Sequence, residues 1–321
     1  MNPDDLPPVL KDEIAQLKAW SFEQSNKVDI SNSYDEPLYH YTTASGLKGI
    51  LDSKKLWFTD AFHLNDPTEI EYGMKLAVEA FKNVSIKYNN SVISRFCSGN
   101  IPFFENGHAS YFRYFIASFS TDRDDLGQWR AYSDNGKGFS LGLSPEYFGY
   151  TDGVPIEANR KILVSKICYD EQEARRKQED VINRAISSIN RAGCRTACEG
   201  NENIKNNFLK EISIAIADRI IWNALSCKHE AYKAEHEIRL MMVIPVHKVQ
   251  PFLKTRIRGS SIVPYVEFFL DDLYEKGKIA EIVTGPAADK MSRDALENLL
   301  QGHKICFEQL IKPSKIPYRI Y

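Results

Sequence analysis

Residues 38–69 read LYHYTTASGLKGILDSKKLWFTDAFHLNDPTE, and this stretch decides the fold. Leu38-Tyr39-His40-Tyr41 is a short aromatic strand, and Thr42, Thr43 and Ser45 make a hydroxyl-rich turn after it. Leu47, Ile50 and Leu51 then recur at i, i+3, i+4, the spacing of an amphipathic helix. Leu56-Trp57-Phe58-Thr59 alternates as a second strand. Asn65-Asp66-Pro67-Thr68-Glu69 has the form of a helix start: Asp66 as N-cap, Pro67 as first helical residue, Glu69 as the reciprocal member of a capping box. Strand, helix, strand and capped helix in one short run put a histidine at one edge of a sheet.

The rest of the chain repeats this mixture without βαβ regularity. Leu10, Ile14 and Leu17 form the stripe of an N-terminal helix over 5–20, and a Ser-, Asn- and Asp-rich linker follows over 24–36. Ile70, Met74, Ala77 and Phe81 predict a helix after Pro67, and 98–110 reads as a loop. Strands are expected at 114–120, 138–143, 161–169, 235–246, 252–258, 262–268, 280–284 and 304–310. Helices are expected at 126–132 and 289–300, with two charged helices within 171–225. Interspersed strands and helices predict an α+β fold of small mixed and antiparallel sheets with flanking helices. The expected organisation is an N-terminal helix and linker over 1–36, then one domain over 37–321 carrying a helical insertion over 171–225.

Composition narrows the function. Of 321 residues, 43% are hydrophobic and 12% aromatic, enough to bury a substantial core. A net charge of -2 offers no bulk attraction to nucleic acid or anionic membrane. The six scattered cysteines form no framework and are expected to be reduced. The acidic, proline-rich start does not read as a signal peptide, and no apolar run reaches the ~20 residues of a membrane span, so a cytoplasmic, membrane-free protein is expected. GxGxxG, GxxxxGK[ST] and GxSxG are absent. His229-Glu230 lacks the second histidine of HExxH, and Cys194 and Cys198 lack a second pair, so no metal is expected.

One late segment carries chemistry. In Glu235-His236-Glu237-Ile238-Arg239, strand alternation would set Glu235, Glu237 and Arg239 on one face and Ile238, Leu240 and Met242 on the other. Three charges leading into an apolar strand are costly to bury unless paired or functional. Both a structural ion network and a working site remain open on this pattern. Lys254, Arg256 and Arg258 also alternate on one strand, as a phosphate-binding face or as a charge-blunted edge.

The quoted opening, the LWFT and FHLNDP segments, the FS…W unit, GKGFSLGL, the E-x-R strand and the closing IPYR resemble a bacterial family, domain-of-unknown-function family 2971, over roughly 38–321. More remotely, a first-strand histidine followed by a hydroxyl residue, together with a late E-x-E strand, is similar to the ADP-ribosyltransferases. That resemblance implies an ADP-ribosyltransferase-like core binding NAD as substrate. Glu237 would be catalytic, Glu235 would assist the acceptor, and His40 would hold the nicotinamide ribose beside Tyr41 and Thr42. Trp57, Phe58, Phe119, Trp129 and Tyr132 would be candidates to stack on nicotinamide, with Trp57, Phe58, Tyr132 and Arg239 expected on the cofactor-binding side. A carboxylate beside the ribose suits a bond cleavage with oxocarbenium-like character. The acceptor would be protein, nucleic acid or water. Two other classes stay open: a non-catalytic nucleotide-sensing or protein-binding module, and a nucleic-acid-acting enzyme of another class.

Overall fold

The computed structural model describes residues 6–26, 36–64, 69–88, 90–144, 162–193, 201–270, 272–306 and 308–319. In chain order the elements are α1 (Pro8–Asn26), β1 (Leu38–Thr42), α2 (Ala44–Ser53), β2 (Lys55–Asp60), α3 (Glu69–Lys87), α4 (Ser91–Pro102), α5 (His108–Tyr111), β3 (Phe112–Ser120), α6 (Leu126–Tyr132) and β4 (Phe139–Leu143). There follow β5 (Ile162–Lys166), α7 (Glu171–Arg191), α8 (Glu202–Leu225), β6 (Glu237–Pro245), α9 (Val246–Val249), β7 (Lys254–Arg258), β8 (Ser261–Phe269), β9 (Ile279–Thr284), α10 (Met291–Gly302) and β10 (Ile311–Pro313). The mixed α+β class is as the sequence predicts.

The chain divides into two compact units. One is helical and gathers 1–28, 65–112 and 168–230, so the stretch 171–225 lies with α1, α3 and α4. Its core is made by the predicted stripes: Leu10, Ile14 and Leu17 of α1, Ile70, Met74, Ala77 and Phe81 of α3, and Phe208 and Ile212 of α8 are all buried. Gly73 lets α3 approach α8 closely, because a Cβ there would lie 2.0 Å from the Ala224 carbonyl oxygen. The Asn65–Thr68 helix start lies outside the described residues; Glu69 sets its carboxylate 2.9 Å from Lys228 Nζ, and both are buried. Residues 98–110 are not a loop. α4 runs to Pro102, a π-turn spans Phe103–Gly107, and α5 follows. Phe104 enters the core here and stacks on Phe81 with ring centroids 5.6 Å apart, so burial overrides the Gly- and Asn-rich local signal.

The second unit gathers 29–64, 113–167 and 231–321. Among the described residues its strands form one ten-stranded sheet rather than several small ones. The main path runs β10-β9-β4-β1-β3-β2-β8-β7, with β6 joining β3 and β5 joining β6. The β9–β10 pair is parallel, and the other registered pairs are antiparallel. The alternation read from sequence sorts its two faces. Leu38, Phe58, Phe115, Phe119, Leu141, Ile238, Leu240 and Met242 share one core, covered by Leu47, Ile50 and Leu51 of α2 and by Leu296 and Leu300 of α10. The opposite face carries a smaller aromatic cluster, with Tyr39, Tyr41 and Val283 packed on Trp129 of α6. Among the described residues of 304–310, none lies in a strand. Lys304 takes a left-handed conformation (φ 59°) and the Ile305 amide bonds back to the Leu300 carbonyl, which caps α10 and delays the strand to Ile311.

Candidate functional site

The site is built around Ser118, near the end of β3. In register, β3 meets β2 at Phe115 and Ile116 and β1 at Ser120. Ser118 falls between these two pairings. The carbonyl of Ser118 accepts a hydrogen bond from His40 Nδ1 at 3.0 Å. Its hydroxyl donates to Glu237 Oε1 at 2.6 Å. His40 stands in register with Leu141 on the core side of β1, whereas Ser118 and Glu237 alternate to the other face, opposite Phe119 and Ile238. A backbone carbonyl lies near the plane of its sheet, so the imidazole comes to that plane to reach it.

This contact determines the chemistry of His40. A carbonyl only accepts, so Nδ1 carries the proton, and in the neutral ring Nε2 is an acceptor. Burial holds the imidazole below its ordinary pKa, with Arg256 acting in the same direction and the Ser118 carbonyl opposing. The ring is therefore neutral at pH 7. Nε2 has no hydrogen-bond partner among the described residues, and it is suited to accept from a hydroxyl. The ring leans on Phe119 at 5.4 Å between centroids.

Glu237 is 3% exposed and Arg239, two residues along the same face of β6, is 2% exposed. They form a forked ion pair, Nε to Oε1 and Nη2 to Oε2, both at 2.9 Å. This geometry is the strong form of a carboxylate–guanidinium contact. With Ser118, it fixes the carboxylate in orientation and position.

Glu235 departs from the sequence reading. It ends a 3-10 turn, Glu230–Glu235, and does not lie on the strand. His236 follows with a left-handed backbone (φ 43°), so alternation starts only at Glu237. Glu235 is instead held from β3 and α6. Its carbonyl accepts from Ser120 Oγ at 2.8 Å and Gln128 Nε2 at 3.2 Å, and its carboxylate accepts from Tyr132 Oη at 3.1 Å. His236 Nδ1 lies 2.6 Å from Asp122 Oδ2. The polar turn Thr121–Asp125 thereby anchors the entry to β6.

The remaining candidates separate by environment. Tyr41 is held on both sides: its hydroxyl donates to the Asp122 carbonyl and accepts from the Asp125 amide, and its ring packs edge-on against Trp129 at 4.9 Å. Thr42 is buried beneath Gly46, and Thr43 provides the N-cap of α2. Phe58 is fully buried against Phe268 in the core, so it offers no surface for stacking. Trp57 is 41% exposed and packs on Tyr265 at 4.5 Å. The basic strand β7 is not a uniform charged face. Lys254 is paired with Glu267 at 2.8 Å, Arg258 donates to the His63 carbonyl, and Arg256 turns to Trp57 and to Thr59 Oγ1, 2.8 Å away.

Sequence reasoning passed over Ser118, Ser120 and Gln128. The available signal was in SFS at the end of β3, where hydroxyls at i and i+2 share the face opposite Phe115, Ala117 and Phe119.

Residues 128–240 match a family described as "Protein of unknown function (DUF2971)". The matched segment holds Tyr132, Glu235, Glu237 and Arg239 and leaves out His40 and Ser118. No curated protein and no solved structure matches the chain. Among the described residues, no helix is long and apolar enough to cross a membrane.

Proposed function

We propose that the chain cleaves the nicotinamide–ribose bond of NAD and transfers ADP-ribose to an acceptor. One observation carries this reading. His40 and Glu237, 78 and 119 residues from Ser118 in sequence, bond to that one residue from opposite sides of it. The imidazole is tied to Ser118 through its backbone carbonyl and the carboxylate through its side-chain hydroxyl, which supports a shared role for the two.

Each residue then has a role. His40 Nε2 accepts from a ribose hydroxyl while Nδ1 keeps the ring fixed on Ser118. Glu237 presents negative charge to the positive charge that develops on the ribose as nicotinamide leaves. Ser118 and Arg239 hold that carboxylate in place, which removes reorganisation from the reaction step. Glu235, steadied by Tyr132, is half-buried at the mouth of β6 and serves the acceptor side. NAD supplies the scissile bond and nicotinamide as leaving group; no metal enters the scheme.

The same geometry favours a second reading. Arg239 engages both oxygens of Glu237, and a counter-charge so close weakens the field that the carboxylate exerts on a ligand. A nucleotide-sensing module that binds without turnover fits this arrangement. Nicotinamide release by the purified protein, compared with His40→Asn and Glu237→Gln at temperatures where each variant is folded, separates the two. The amide introduced by His40→Asn keeps a donor for the Ser118 carbonyl and loses the Nε2 acceptor. Release by wild type that both variants lose supports transfer chemistry; NAD binding with no release supports the sensor.

A further inference from the structure

Arg256 is a half-buried cation of the sheet unit with one N–H left unbonded. Among the described residues it has no carboxylate partner, while its neighbour Lys254 shares Glu267 with Lys55. Its Nη2 donates to Thr59 Oγ1 at 2.8 Å, and its guanidinium sits 5.2 Å from the Trp57 ring centroid. Its Nε is buried with no hydrogen-bond partner. A charged N–H removed from water and left unbonded is costly, so its presence needs a reason. Register puts the group beside the site already described: Thr59 opposes Ile116 on β3, and Tyr265 opposes both Thr59 and Lys254. Arg256, Thr59 and Trp57 therefore share the sheet face of Ser118 and Glu237.

We propose that Arg256, Thr59 and Trp57 form the seat of a phosphate group of a nucleotide ligand. The chemistry of the three side chains is complementary to that group. A guanidinium offers paired donors in a plane, which suits a phosphate better than a single point charge. Thr59 Oγ1 accepts from Arg256, so its own proton is left to donate to a phosphate oxygen. Trp57 is exposed, keeps one side of the guanidinium dry, and provides an aromatic surface for a base or sugar. This deepens the NAD reading and rests on it for the choice of nucleotide, but phosphate binding itself does not depend on turnover.

The test is equilibrium binding of ADP-ribose, adenosine and inorganic pyrophosphate to the full chain by calorimetry, with Arg256→Gln, Arg256→Lys and Glu237→Gln beside wild type. Wild type is expected to prefer ADP-ribose over adenosine by roughly tenfold or more, with pyrophosphate competing for the site. Arg256→Gln loses that preference, and Arg256→Lys keeps part of it. If Arg256→Gln does not fold, Arg256→Lys and pyrophosphate competition decide. Equal affinity of wild type for ADP-ribose and adenosine, no binding of either, or an unchanged preference in both Arg256 variants overturns the proposal. Wild type itself separates the two claims: Arg256-dependent ADP-ribose binding without nicotinamide release from NAD upholds the phosphate seat while the transfer chemistry fails, whereas Glu237→Gln should keep the binding and lose the release.

Discussion

Neutralising Glu237 tests whether the pair at the start of β6 is a buried electrostatic unit. Glu237 and Arg239 are 3% and 2% exposed and joined by two contacts of 2.9 Å. In Glu237→Gln, one forked contact becomes donor against donor, because the amide nitrogen faces the guanidinium. The buried guanidinium loses its counter-charge, and breaking such a pair costs about 3–5 kcal/mol. Arg239→Gln strands the carboxylate instead and is expected to cost a similar amount, about 3–5 kcal/mol. The double variant removes both charges and leaves two amides able to bond each other. Its loss should fall short of the sum of the single losses by about 1–3 kcal/mol. Urea unfolding at pH 7 measures this, followed by far-UV circular dichroism and by tryptophan fluorescence. Two compact units need not unfold together, so fluorescence is read in a Trp20→Phe/Trp222→Phe background, where Trp57 and Trp129 report the sheet unit. Single losses below about 1 kcal/mol, typical of solvent-screened pairs, or strict additivity, would refute the reasoning.

Three further outcomes follow from the same geometry. Because burial depresses the His40 pKa in the folded state below the 6.5 of a free imidazole, its stabilising contribution is complete above that value and is lost as pH falls from there through the folded pKa; ligand binding should weaken over the same acid window, and titration of His40→Asn should lack that step. Gly73→Ala would drive a methyl group into the Ala224 carbonyl, 2.0 Å away, and the resulting shift of α3 from α8 should cost about 1–3 kcal/mol in chemical denaturation despite the better helix propensity of alanine. Lys228→Met removes the cation 2.9 Å from buried Glu69 and should cost about 3–5 kcal/mol, with partial recovery in the Glu69→Gln/Lys228→Met double variant.

Local pattern carried much of the fold. The stripe of α2, the alternation of β3 and β6 and the short helix α6 all follow from periodicities of 3.6 and 2, which the sheet and its covering helices enforce by burying one face. What escaped the sequence depended on distant partners or single dihedral angles. Nothing local joins the strands into one sheet, because β3 draws its partners β1, β2 and β6 from widely separated segments. The left-handed His236 breaks alternation one residue before Glu237, and nothing in its side chain announces this. The left-handed Lys304 likewise turns an apparent strand into a helix cap. In the site, the charges of Glu237 and Arg239 stood out against an apolar strand. Ser118 did not, since a serine near a strand end is ordinary. The partner of His40 is a backbone carbonyl, which has no residue code at all.

The central claim is that His40 and Glu237 act on one bond of NAD, and nicotinamide release measures it most directly. Purified wild-type protein should release nicotinamide from NAD, and folded His40→Asn and Glu237→Gln variants should not. Release that persists unchanged in both variants, or no NAD binding to the wild type, would contradict the account and return the Ser118 cluster to a purely structural role.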